Sequence, residues 1–115
     1  TYIPILGDID KWIPIESIKT YHGYLPNSFI IRTNGDSMID ANISNDDLVI
    51  FKVQPMVENG DIALINVNDK STIRYFYQNG EECELRSANS SYPPVKYPTD
   101  EINIIGKFVQ VLEHK

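Results

Sequence analysis

The chain has 115 residues, 42% of them hydrophobic, which is enough for one compact domain with a single core and too little for two. Its formal net charge is -6, and its ten Lys and Arg are scattered singly, so no basic cluster exists to neutralise neighbouring phosphates and DNA binding by this piece alone is not expected. A lone cysteine, Cys83, excludes an internal disulfide and suits a reducing cytoplasm; no apolar run is long enough to span a bilayer and no secretory signal opens the sequence.

In chain order, residues 1–26 form short extended pieces broken by Pro4, Gly7, Pro14 and Pro26, which predicts a strand-and-loop arm laid against a core at 27–115. Trp12 is expected to fill a groove on the sheet. Because the chain opens at Thr1 and enters strand-like sequence at once, it is expected to be a fragment, with any partner domain upstream. Runs rich in β-branched and aromatic residues then follow at Ser28 to Arg32, Leu48 to Val53, Asp61 to Val67, Ser71 to Tyr77, Glu82 to Ser87 and Ile102 to Leu112. The breakers between them are Asn45-Asp46-Asp47, Pro55, Asn59-Gly60, Asn68-Asp69, Asn79-Gly80 and Pro93-Pro94. Asn79-Gly80 separates an aromatic strand from one alternating Cys83 and Leu85 with Glu82, Glu84 and Arg86, the pattern of a hairpin with one solvated face. No segment carries a long helical period, so the fold class is all-β, a sandwich or partly closed barrel. Cys83 reads as an ordinary strand residue rather than a reactive thiol.

The segment Asn34-Gly35-Asp36-Ser37-Met38-Ile39-Asp40 stands between the strand Phe29-Ile30-Ile31 and the strand Leu48-Val49-Ile50-Phe51. A serine just past a glycine at a strand end can expose its hydroxyl beside backbone N–H groups aimed at a developing oxyanion. Spacing alone equally fits a turn serine bonded to its own loop, which is the commoner case. Asp36, Asp40, Asp46 and Asp47 lack the glycine and terminal glutamate of a calcium loop, so no metal is expected. His22 and His114 have no serine or carboxylate partner at a recognised spacing, and neither is assigned a role. No cofactor motif is present.

The Gly-Asp-Ser-Met segment, the Asp-rich turn and Leu-Val that follow it, Asn59-Gly60-Asp61-Ile62, the Thr-Ile-x hairpin at 72–74, Leu85-Arg86-Ser87-Ala88-Asn89-Ser90-Ser91-Tyr92-Pro93-Pro94 and Ile104-Ile105-Gly106-Lys107-Phe108-Val109 occur in an order that resembles the LexA family of self-cleaving proteins, which includes UmuD and lambda-type phage repressors. The resemblance implies a LexA/signal-peptidase-like β-ribbon fold with an extended N-terminal arm. It implies Ser37 as nucleophile, the backbone of Ser37 and Met38 as oxyanion donors, and a buried lysine as general base acting on a bond in the protein's own arm. Burial would have to bring that lysine's pKa down from about 10.4 so that it is neutral when it takes the proton.

Two departures stand out. Arg74 occupies the lysine position after Thr72-Ile73, and a guanidinium keeps its proton and cannot act as a base. Lys70 is expected on the same strand face but at the turn rather than mid-strand. Arg74 is open to a pairing with Asp36 or another carboxylate, or to solvent if the strand is shifted by one residue. Within the arm, Pro4-Ile5-Leu6-Gly7 and Pro14 frame Lys11-Trp12 where the family carries a cleavable pair of small residues. The sequence therefore points to the C-terminal regulatory and dimerisation domain of a LexA-like or phage-type transcriptional repressor, impaired in self-cleavage. The implied partners are a second copy, a RecA filament or an antirepressor, and DNA only through an upstream domain. The alternatives are an active self-peptidase induced by RecA during DNA damage, and a UmuD-like polymerase accessory subunit. The strand Ile102 to Leu112 is the expected dimer element.

Overall fold

The computed structural model describes residues 9–13, by backbone, and 28–114. Eight strands run in chain order: β1 (Ile9–Ile13), β2 (Ser28–Thr33), β3 (Leu48–Val53), β4 (Ile62–Val67), β5 (Lys70–Asn79), β6 (Glu82–Arg86), β7 (Val95–Pro98) and β8 (Ile102–Glu113). The only helical turns among the described residues are two three-residue 3-10 turns, Ile39–Ala41 and Thr99–Glu101. All strands join one antiparallel sheet in the order β1-β2-β3-β8-β4-β5-β6-β7. The sheet is not closed: among the described residues β1 and β7 are its edges, in keeping with an all-β fold that is at most a partial barrel. No described helix is long and apolar enough to cross a membrane. Most of the arm, including His22 and the prolines at 4, 14 and 26, lies outside the described residues, as does the Trp12 side chain and with it the expectation that it fills a groove.

Strand composition explains which faces are covered. In β3, Leu48, Val49, Ile50 and Phe51 are all buried, as a continuous apolar run should be when both sheet faces are packed. β4 shows the same by parity. Leu64 joins one core cluster with Ile31, Met38, Val49, Phe51 and Ile73, while Ala63, Ile65 and Val67 join a second with Phe76, Cys83, Leu85 and Ile102. The two clusters therefore cover opposite faces of β4, and each large side chain in them that is fully removed from water contributes about 1.5–3 kcal/mol. Cys83 is a buried strand thiol, as expected; burial pushes it above the ordinary cysteine range, outweighing a contact with the Tyr97 carbonyl that lowers it, and nearby Glu82 raises it further.

Tight turns fix the hairpins. Asn68 and Asp69 both have positive φ, 53° and 63°, between the paired residues Val67 and Lys70, the backbone hand that matches strand twist in a two-residue loop. Asn79 pairs with Glu82, leaving Gly80, at φ 65°, and Glu81 as the second such loop.

β8 is not an edge strand. Its first half, through Lys107, pairs with β4, and its second half, from Gly106, pairs with β3. The stretch from Phe108 onward thus has β3 on one side and no described strand on the other.

Candidate functional site

The turn after β2 carries Ser37. Thr33 ends β2 and is buried; it exchanges backbone hydrogen bonds with Asp46 and Asp47, while its hydroxyl donates to the Ser44 carbonyl, so the two ends of the 34–47 loop are tied together. Gly35, at φ 102°, makes the bend a side chain would resist, and its N–H donates to Asn45 Oδ1 at 2.8 Å. Ser37 follows, 6% exposed. Met38 is 2% exposed in the first core cluster and anchors the turn from below, its carbonyl accepting from Ala41 and Ile43.

The β4–β5 hairpin brings Arg74 to this turn. Register pairs Arg74 with Ala63 and Ile73 with Leu64, which buries Ile73 in the first cluster and turns Arg74 to the other face. Arg74 Nη1 lies 2.9 Å from Ser37 Oγ and 2.7 Å from the Ile73 carbonyl. The contact with the serine hydroxyl is not among the arrangements that the sequence left open to Arg74, which were a carboxylate pairing or exposure to solvent. Lys70 lies four residues earlier at the start of β5, exposed, and lines the same groove as Arg74, as the shared-face expectation required.

A third element holds the site. The segment after β6 grips the serine turn at four points: Asp40 N–H donates to the Ala88 carbonyl at 2.7 Å, Ala88 N–H meets Met38 Sδ at 3.3 Å, Asn89 Nδ2 donates to the Asp36 carbonyl at 2.9 Å, and the Tyr92 hydroxyl donates to Asp36 Oδ1 at 2.6 Å. The sequence marked this segment only through its resemblance and gave no role to Ala88, Asn89 or Tyr92. His114 was also missed. Its Nδ1 is 2.8 Å from Asp47 Oδ2, a fully buried carboxylate that also accepts from the Ser44 N–H, so the end of β8 braces the foot of the serine loop.

Chemically, a hydroxyl that accepts from a guanidinium is oriented but not deprotonated. Arginine donates through all its nitrogens and offers no acceptor for the serine proton. Lys11 and Trp12 lie on β1, opposite Arg32 and Ile31 in an antiparallel ladder, with a register shift between Ile9 and Lys11.

The chain matches the family model described as Peptidase S24-like over residues 6–109. It is 36% identical to a LexA repressor of Syntrophobacter fumaroxidans over 97% of this chain and 58% of the relative. It is 35% identical to a LexA repressor of Magnetococcus marinus over 97% of this chain and 52% of the relative, and 34% identical to one of Thermotoga neapolitana over 95% and 60%. The chain therefore spans little more than half the length of the curated relatives it matches. With the family model covering nearly all of its length, and an all-β sheet that sets a serine turn against the β4–β5 hairpin, this chain belongs to the S24-like peptidase family.

Proposed function

We propose that the chain is the C-terminal regulatory and dimerisation domain of a LexA-like transcriptional repressor whose self-cleavage is impaired. The observation that carries this is the 2.9 Å contact between the Arg74 guanidinium and Ser37 Oγ: a permanently charged donor stands where a serine nucleophile needs a base. The Lys11-Trp12 step, bulky where the family's scissile pair is small, supports the same reading. The repressor assignment over a polymerase accessory subunit is supported by the names of the relatives, and their greater length leaves room for an upstream DNA-binding domain. Dimerisation is supported by the side of β8 beyond Lys107 that no described strand pairs. In this reading DNA is bound only by the upstream domain, and a RecA filament or an antirepressor would be the inducing partner, in the cytoplasm.

The test is self-cleavage of the full-length protein at about pH 10, where a lysine base approaches its own pKa and loses its proton. The protein is expected to stay intact. Arg74→Lys alone should cut slowly, because the base returns without a suitable substrate. Adding Lys11→Ala and Trp12→Gly should permit cutting between positions 11 and 12, and Ser37→Ala should abolish it. Ser37-dependent cutting of the unmodified protein after Lys11 would overturn the proposal.

A further inference from the structure

Three Asn-Gly steps punctuate the chain, at 34–35, 59–60 and 79–80. This dipeptide is the one most open to self-modification, because glycine has no side chain to hinder attack by its own amide nitrogen on the preceding side-chain carbonyl carbon. We propose that Asn79 is a spontaneous deamidation site, and that the fold protects Asn34 and Asn59 by occupying the groups the reaction needs. The reaction balances with water alone. The Gly80 amide gives its proton to hydroxide, its nitrogen bonds to Asn79 Cγ, and the Cγ–Nδ2 bond breaks as that nitrogen takes a proton from water and leaves as ammonia. Water then opens the five-membered imide at either carbonyl, giving aspartate from one opening and isoaspartate from the other.

Exposure does not separate the three steps. All six residues are exposed, the three glycines share a positive φ, and a Cβ on Gly60 or Gly80 would meet nothing within 4 Å. Hydrogen bonding does separate them. At the first step the Gly35 N–H, which would have to attack, donates to Asn45 Oδ1 at 2.8 Å. At the second, both sides are held: the Gly60 N–H donates to the Phe76 carbonyl at 2.8 Å, while Asn59 Nδ2 donates to the Gln78 carbonyl at 3.2 Å and Oδ1 accepts from the Gln78 N–H at 2.8 Å. At the third, neither the Asn79 side-chain amide nor the Gly80 N–H has a hydrogen-bond partner among the described residues. That turn is fixed through its carbonyls instead, Gly80's accepting from Gln78 Nε2 at 3.0 Å and Glu81's from the Thr99 N–H at 2.7 Å. The product changes charge and backbone length in the β5–β6 hairpin. Asn79 shares a shallow depression with Glu81, Glu82 and Lys96, so the new carboxylate joins an acidic neighbourhood in a chain already at -6. Isoaspartate also adds a methylene to the backbone opposite Glu82, where the ladder has no room for an extra atom without losing register.

The experiment is incubation of the full-length protein in mildly alkaline buffer, followed over days by peptide mapping and mass spectrometry that reads the amide-to-acid mass gain at each step and separates aspartate from isoaspartate. In the folded protein, position 79 is expected to convert about fivefold or more faster than 34 and about tenfold or more faster than 59, as for release of one or of several hydrogen bonds before attack. The same protein unfolded in urea should convert at all three positions at comparable rates, which shows that the difference belongs to the fold. Asn79→Gln should remove the fastest gain, and Asn45→Ala, which frees the Gly35 N–H, should bring position 34 towards the rate of 79. Circular dichroism confirms that each variant folds, and the comparison of folded with unfolded wild type stands without any variant. Equal rates at the three positions in the folded protein, a first gain at 34 or 59, or no gain at 79 while the unfolded chain converts there would each overturn the inference. An unchanged rate at 34 in a folded Asn45→Ala protein would overturn the protection assigned to that hydrogen bond.

Discussion

Gly106 sits where β8 changes neighbours, opposite Val53 on one side and Leu64 on the other. A Cβ built there would lie 2.7 Å from the Lys52 carbonyl oxygen and 3.4 Å from Phe29 Cζ. The first obstacle is backbone within the sheet and cannot swing aside as a side-chain tip would. Gly106→Ala should therefore destabilise the domain by about 1–3 kcal/mol, read as a lower denaturant midpoint at unchanged slope. A neutral result would show that β3 and β8 separate there at little cost. The sequence marked this glycine only as part of a resemblance; its physical cause is a close approach between strands more than fifty residues apart. Ser37 and Arg74 were singled out through the family resemblance of the Gly-Asp-Ser-Met segment and the Thr72-Ile73 hairpin, since spacing alone fits a plain turn serine and leaves the register of Arg74 open. The His114–Asp47 contact was not, since 67 residues lie between the two and neither carries a local pattern that names the other.

Among the elements, six strands followed from β-branched and aromatic runs bounded by turn residues, with ends within about two residues of those expected. β7 was hidden. Pro93-Pro94 reads as a breaker and Pro98 closes the four-residue strand, yet among the described residues β7 pairs only with β6, and an edge strand tolerates a missing N–H on its open side. The segment between β6 and β7 likewise reads as loop, because its contacts to the serine turn are made by single atoms rather than by a periodic face. Tyr92→Phe tests its role. The substitution removes the donor to Asp36 Oδ1 and keeps the ring in the groove, and since Tyr92 is 42% exposed the loss is screened, at about 1 kcal/mol or less. Hydrogen exchange should quicken at the amides of 36–41 while β3, buried and paired on both sides, keeps its protection. Equal change across both regions would mean that the segment stabilises the whole sheet and does not specifically hold the turn.

For the whole molecule, the geometry of β8 decides how two copies could meet. The sheet's edges among the described residues are β1 and β7, and β7 is short and carries Lys96 and Pro98, features that discourage edge pairing. Beyond Lys107, by contrast, β8 offers several residues of backbone that no described strand pairs on one side, with Val109 38% exposed on this stretch. Antiparallel pairing of this stretch with its copy about a two-fold axis would cover those backbone groups reciprocally. Each copy brings a net charge of -6, so like-charge repulsion opposes the dimer and salt should relieve it. Sedimentation is therefore expected to show a dimer at micromolar concentration whose dissociation constant falls as salt rises from about 20 to about 200 mM, over which the Debye length shrinks to below 10 Å. Val109→Glu places two further carboxylates close to the axis and should weaken the dimer by about tenfold or more, with unfolding of the monomer little changed because the position is exposed. A protein that stays monomeric throughout the micromolar range at every salt would remove β8 as the dimer element. A dimer indifferent to Val109→Glu would instead move the interface to another face of the domain.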